Sequence, residues 1–225
     1  MMKSRADDIR RSVQDRGIDC VLHFTQLQNL EPIIEHGFLP RSMIEGRDDV
    51  TAHVLNADRL DGQDDAISVS ISAFNHAMFS AKRWRSNGLP WILLALDPSV
   101  LWTHPCRFHA INAASREAQR RQGRRDHIWA FNEMFAETQY ETTSNFKGRR
   151  WREETGIPDY LTTFPDAEVQ VMAPFSSELI TGAWIDREDL VDPVRKLLDR
   201  LPSEPRPMRV GNFVPQFSNG HANWG

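Results

Sequence analysis

The stretch FPDAEVQV (residues 164–171) carries the decisive reading of this sequence. Val169, Val171 and the following Met172 are apolar and mark a short buried strand. Asp166 and Glu168 do not fit that pattern. A glutamate at a strand start is ordinarily a solvated residue, because Glu is seldom buried. It can also be the acid around which an active site is built. A long irregular segment, 141–166, runs into it, and loops of that size without structure of their own are commonly functional.

Other strands stand out on either side of this one. AISVSIS (66–72) alternates, with Ile67, Val69 and Ile71 on one face and Ser68, Ser70 and Ser72 on the other, which predicts a half-buried strand. WILLALDP (91–98) is a nearly continuous apolar run, as expected of a central strand, and its Asp-Pro ends it. IDCVLHF (18–24) and LITGAWI (179–185) read as two more strands. After the first, TQLQNLEPIIEHG shows helical spacing through Leu27, Leu30, Ile33 and Ile34, with Thr25 able to cap its start and Gly37 its end. Helical patterns also cover AFNHAMFSAKRW, much of 111–138 and residues 187–200. Strands with helices between and around them predict an α+β domain with a central mixed or antiparallel sheet. We expect one domain over residues 1–200 and a Pro/Gly-rich C-terminal tail over 201–225.

A chain of 225 residues is long enough to bury a sizeable core without staples. Its two cysteines form no disulfide framework and read as reduced thiols of a cytoplasmic protein. The longest apolar run, WILLAL, falls far short of the ~20 residues a membrane span needs, so no membrane association is expected. The N-terminal MMKSRADDIRRSVQDRG lacks the apolar core of a secretory leader. GxxxxGK[ST], GxGxxG and GxSxG are all absent, which removes the usual support for ATP-driven phosphoryl transfer, a dinucleotide dehydrogenase or a hydrolase elbow. HPCRFH (104–109) offers His104, Cys106 and His109, but at a spacing that matches no metal motif, so no metal is expected.

Four groups of residues carry candidate chemistry. His23, Thr25 and Asn29 gather at a strand-to-helix transition, either as a hydrogen-bonded core cluster or as the polar edge of a ligand site. Arg59 lies among Asp58, Asp61, Asp64 and Asp65, where it is either ion-paired or free to clamp a phosphate. The serines of 66–72 form a polar sheet face beside it. Finally, between Arg107 and Arg152 ten Lys/Arg stand against five Asp/Glu, although the whole chain carries a net charge of −4. Aromatic residues are interleaved there, and a cationic groove with stacking platforms suits single-stranded nucleic acid.

Taken in order, HFTQLQNLEPIIEHG, DRLDGQDDAISVSISAFNHAMF, WILLALDPSVLW, FHAINAA and the long segment closing on FPDAEVQV resemble the DarT family of DNA ADP-ribosyltransferase toxins, over roughly residues 20–185. The resemblance implies an ADP-ribosyltransferase fold related to the PARP and diphtheria-toxin enzymes. It implies NAD as co-substrate, no metal, and transfer of ADP-ribose to thymine or guanine in single-stranded DNA. It also implies a toxin paired with a macrodomain antitoxin of the DarG type and a link to phage defence. We take the protein as a monomer.

Carried over by position, Glu168 matches the catalytic glutamate and Arg59 an arginine used in catalysis and NAD binding. His23, Thr25 and Asn29 match the NAD-contacting opening motif. Ser68 and Ser70 stand on the serine strand of that NAD site, and Asn75 and Met78 on the helix lining its nicotinamide side. Segment 141–166 matches the substrate-recognition loop, with Arg149, Arg150, Trp151 and Arg152, joined by Arg124 and Arg125, as nucleic-acid contacts. The approach TTFPDAE departs from the family's Thr-Asp-Pro-Gln-Ala-Glu-like pattern, which leaves the target base open. Three other readings remain: the same enzyme chemistry on RNA or protein, a non-enzymatic single-strand binding protein whose function ignores Glu168, or a metal-dependent nuclease using Asp61, Asp64 and Asp65.

Overall fold

The alternation in AISVSIS becomes β2 (Ile67–Ile71), with isoleucine and valine buried and both serines half-buried. In this computed structural model, residues 4–45, 47, 63–120, 123–137, 152, 156–202 and 204–214 are described. The other strands are β1 (Val21–Gln26), β3 (Trp91–Leu96), β4 (Cys106–His109), β5 (Glu168–Val171), β6 (Ile180–Ile185) and β7 (Met208–Val210). They form one seven-stranded sheet in the order β4-β5-β2-β1-β3-β6-β7. Neighbours are antiparallel except β6 and β7, so the sheet is mixed, as expected. The helices are α1 (Arg5–Asp15), α2 (Leu30–His36), α3 (Arg41–Ile44), α4 (His76–Arg85), α5 (Val100–Thr103), α6 (Arg116–Arg120), α7 (Ile128–Glu133) and α8 (Val191–Leu198).

The two faces of the sheet are covered unequally. On one face Val21, Ile67, Val69, Ile71, Leu94, Leu96, Phe108, Val169 and Val171 pack against α1, α2, α7 and α8 through residues such as Ile9, Val13, Leu30, Phe131, Val194 and Leu198. The opposite face is covered where Phe74 and Phe79, around α4, join Phe213 over Leu22, Leu93 and Trp184. Directly opposed residues in a ladder share a face. The pairs Ser68↔Gln170, Arg107↔Gln170 and His109↔Glu168 therefore place a polar group on that second face, over β2, β5 and β4. Burying these side chains under a helix would leave polar groups to be satisfied, so a polar half-sheet is where a ligand site fits the fold.

Two expectations need correction. Residues 201–202 and 204–214 are not a free tail. Strand β7 extends the sheet, Leu201 and Phe213 are buried, and the buried Arg206 guanidinium donates to the carbonyls of Ile180 and Pro202 at 3.1 and 2.7 Å. The domain thus runs at least to residue 214. The helical reading of 111–138 resolves into only α6 and α7 among its described residues, with Gly123 at φ +125° between them, a conformation that ends helical progression. CRFH, weighed above for metal ligands, is edge strand β4, with Cys106 buried.

Candidate active site

Glu168 opens β5, and its carboxylate is gripped from two sides. Ser68 Oγ donates to Oε1 at 2.6 Å, and the Ala113 backbone N–H donates to Oε2 at 3.0 Å. The first donor comes from the adjacent strand β2 and the second from the chain just beyond β4, so the sheet itself fixes the acid. Bonds of this kind to a charged acceptor are short and strong.

Ser68 also ties Glu168 to His23. The Nδ1 of His23 lies 2.9 Å from the Ser68 carbonyl oxygen. The β1–β2 ladder consists of just two pairs, Val21↔Ile71 and Leu22↔Ser70, so this ring contact continues the connection where the backbone ladder stops. The ring packs edge-on against Phe38, with centroids 5.4 Å apart. Phe38 is held in turn by reciprocal backbone bonds to Phe175, and Gly37 makes that approach possible: a Cβ there would lie 2.6 Å from the Phe175 oxygen. Burial pushes the His23 imidazole down to about 4, partly opposed by the Ser68 carbonyl, with the Lys82 charge adding to the depression. His23 is neutral at pH 7. A neutral ring facing a carbonyl through Nδ1 must carry its proton there, which leaves Nε2 as an acceptor.

The remaining expected NAD contacts form two further groups. Asn29 Nδ2 donates to Thr25 Oγ1 at 2.9 Å, fixing the amide at the end of β1. Register places His23 and Thr25 on the face of β1 opposite Leu22 and Ser70, so their side chains do not share the sheet face of Ser68 and Glu168, and His23 reaches that group through the Ser68 carbonyl. Asn75 caps α4 by accepting the Met78 N–H at 3.0 Å. The chain enters that cap through Ser72, a non-glycine residue at φ 58°, a left-handed conformation that redirects it out of β2. Ser70 sits opposite Leu22 at the last ladder pair.

Arg59, Arg149, Arg150 and Trp151 lie outside the described residues. Arg152 corrects an expectation. It is buried, and its guanidinium donates to the carbonyls of Leu161 at 2.7 Å and Pro158 at 2.8 Å, and to Thr163 Oγ1 at 3.3 Å. A cation enclosed by carbonyls organises the chain ahead of Glu168 and has no surface to offer a phosphate. Arg124 is exposed and pairs with Asp126, and Arg125 pairs with Glu133 at 2.9 Å.

Several participants had no signal in the residue types. The Ala113 grip on Glu168 is a backbone N–H, which any residue but proline supplies. The preceding amide, of Asn112, donates to Asp166 Oδ2 at 3.4 Å, so two consecutive amides hold two acids. Burial, with the nearby charges of Glu168 and Glu117, pushes the Asp166 carboxyl up, and its Oδ1 is buried without a hydrogen-bond partner among the described residues. Gln170 is fully buried and faces His109 Nε2 at 3.3 Å. No group of three or more His, Cys, Asp or Glu among the described residues is placed to hold a metal ion, and no helix there is long and apolar enough to cross a membrane.

Comparison with solved structures finds the same fold in DarT from Thermus sp. 2.9. Its complex with NAD+ matches with a TM-score of 0.54 at 16% identity, covering 85% of this chain and 94% of that one. The complex with carba-NAD+ matches with a TM-score of 0.53 at 16% identity, covering 86% and 95%. That with ADP-ribosylated ssDNA also gives 0.53, at 15% identity, covering 86% and 94%. Among curated proteins none matches the chain. The family model for DarT, described as ssDNA thymidine ADP-ribosyltransferase, matches residues 22–213, from the second residue of β1 to the buried Phe213. The chain belongs to the DarT family.

Proposed function

We propose that this protein transfers ADP-ribose from NAD+ to a thymine base in single-stranded DNA, and that it acts as the toxin of a pair whose antitoxin is a DarG-type macrodomain protein. The observation that carries the chemistry is the doubly held Glu168 carboxylate, linked through Ser68 to a neutral His23. The family description supports thymine over guanine.

The reaction breaks the bond between the ribose C1′ and the nicotinamide nitrogen. The electron pair leaves with nicotinamide, and the ribose develops positive charge. Glu168, fixed at the start of β5, stabilises that charge without reorganising, which is where electrostatic catalysis is most effective. His23 Nε2 accepts from a hydroxyl of the dinucleotide, and Thr25 and Asn29 hold its far edge. Asn75 and Met78 line the nicotinamide side, and Arg59 meets the pyrophosphate. The attacking base nitrogen forms the new bond to C1′ and gives up its proton to Glu168. Arg124, Arg125, Arg149, Arg150 and Trp151 contact the strand.

Mass spectrometry of oligonucleotides carrying one thymine or one guanine, after incubation with protein and NAD+, tests this reading. One added ADP-ribose on the thymine strand alone is the expected result. An adduct on guanine alone would overturn the base, and NAD+ consumption with no DNA adduct would move the reaction to RNA or protein. Arg59→Ala is expected to raise the NAD+ requirement as well as slow transfer.

A further inference from the structure

The basic run does not wander from the site. It leaves the edge strand and returns to it. Helix α6 begins three residues after Ala113, whose N–H grips Glu168. Its buried Ala118 packs with Ile111 and Phe164, which turns the opposite side outward. Arg116 and Arg120, one helical turn apart, are exposed. The chain then comes back alongside β4, where the Arg125 carbonyl accepts the Phe108 N–H at 2.9 Å. Two strand spacings, about 10 Å, separate that point from β5. Just beyond it, α7 buries Ala130 and Phe131 and leaves Trp129 79% exposed.

A tryptophan costs free energy to leave in water, and aromatic rings set among cations bind unpaired bases by stacking while the cations take the phosphates. Trp84 is as exposed, at 84%, but it serves as a contrast. It stands on α4 over the other half of the sheet, beside Arg83 bound to Asp186 and Arg187 bound to Asp189. Arg83 and Arg187 there are each ion-paired, whereas Arg116 and Arg120 stand one turn apart on one exposed helix face.

We propose that the shelf beyond β4, formed by Arg116 and Arg120 of α6 and by Trp129 of α7, is a second contact surface for single-stranded DNA, holding nucleotides that flank the target base. This rests on the DNA-directed reading above. Arg116 and Arg120 contact phosphates, and Trp129 stacks on a flanking base without selecting its identity.

The test is fluorescence anisotropy of a labelled single strand of about 12 nucleotides, within the range such sites span. It uses the full chain carrying Glu168→Gln with saturating NAD+, so that nothing turns over. Trp129→Ala should weaken binding about tenfold, within the range of one stacked base, while Trp129→Phe keeps most of the affinity. Trp84→Ala should change it less than about twofold. The double variant Arg116→Ala/Arg120→Ala should lower the slope of log affinity against log salt by about 1.4, the value for two single-strand phosphates. Equal behaviour of Trp129→Ala and Trp84→Ala, an unchanged salt slope, or no binding of DNA at all would overturn the proposal. If DNA binds through this shelf but the unsubstituted protein adds no ADP-ribose to it, the surface stands and the transferase reading on DNA falls. If DNA is modified and Trp129→Ala leaves both affinity and the KM for DNA unchanged, the surface alone falls.

Discussion

Replacing Ser68 by alanine isolates the grip on Glu168. The substitution removes the hydroxyl that donates to Oε1 at 2.6 Å. It leaves the Ala113 N–H on Oε2 and, because the His23 ring bonds to a backbone carbonyl, it leaves that contact too. Hydrogen bonds to a charged partner contribute about 1.5–3 kcal/mol. If the loss falls on the transition state, where the ribose is most positive, kcat drops about 10- to 150-fold. The KM for NAD+ should stay within about threefold, since the dinucleotide's other contacts are untouched. Ser68→Thr restores the hydroxyl on a residue that suits a strand, and should recover most of the rate. The assay is the initial rate of nicotinamide release with a saturating single-stranded oligonucleotide. A kcat within threefold of the unsubstituted protein, or a loss confined to KM, would refute the claim that Ser68 aims the carboxylate.

Three other outcomes follow from the same geometry. The His23 imidazole is depressed from 6.5 to about 4, so folding favours its neutral form. Its contribution to stability is full above pH 6.5 and is lost as pH falls toward 4, with a ceiling on the order of 3 kcal/mol. Solvent at the half-buried ring edge lowers that ceiling, and denaturant midpoints at pH 7 and 5 for the protein and His23→Leu should show the difference shrink at low pH. Asp166 has the opposite sign: its raised carboxyl costs stability as pH climbs above its ordinary value of 3.8. Asp166→Asn should melt a few degrees higher at pH 7, by about 2–4 °C per kcal/mol, with the gap closing near pH 4. Arg152→Met strips donors from the carbonyls of Leu161 and Pro158 and should lower the melting temperature by about 5–15 °C, from a loss of about 2–5 kcal/mol. An unchanged melting temperature would return Arg152 to the surface role.

What could be read from the sequence was local. Strands β2, β3, β5 and β6 announce themselves because their burial pattern is written in consecutive residues. Strand β4, with only CRFH, and β7, with only MRV amid prolines, exist because a neighbouring strand pairs with them, and that information lies elsewhere in the chain. The run 111–138 reads as helix because its composition favours helix, while Gly123 and the return to Phe108 decide otherwise. Glu168, His23 and the serine strand were legible from motif order. The Ala113 amide was not, since a backbone donor has no side-chain signature. Nor could composition separate Arg124, open to water, from Arg152, wrapped in carbonyls. Both are arginines in one basic region, and only packing distinguishes them.

In the function proposed above, the held Glu168 carboxylate drives transfer and does not merely support the fold. The most direct test compares Glu168→Gln with the unsubstituted protein, measuring NAD+ affinity by calorimetry and ADP-ribose transfer to single-stranded DNA in parallel. Glutamine keeps the shape and the acceptor oxygen but not the charge. NAD+ affinity is expected to stay within a few-fold and transfer to fall by about a hundred- to a thousandfold, the scale of electrostatic stabilisation removed from a transition state. Transfer retained within tenfold while NAD+ still binds would contradict it.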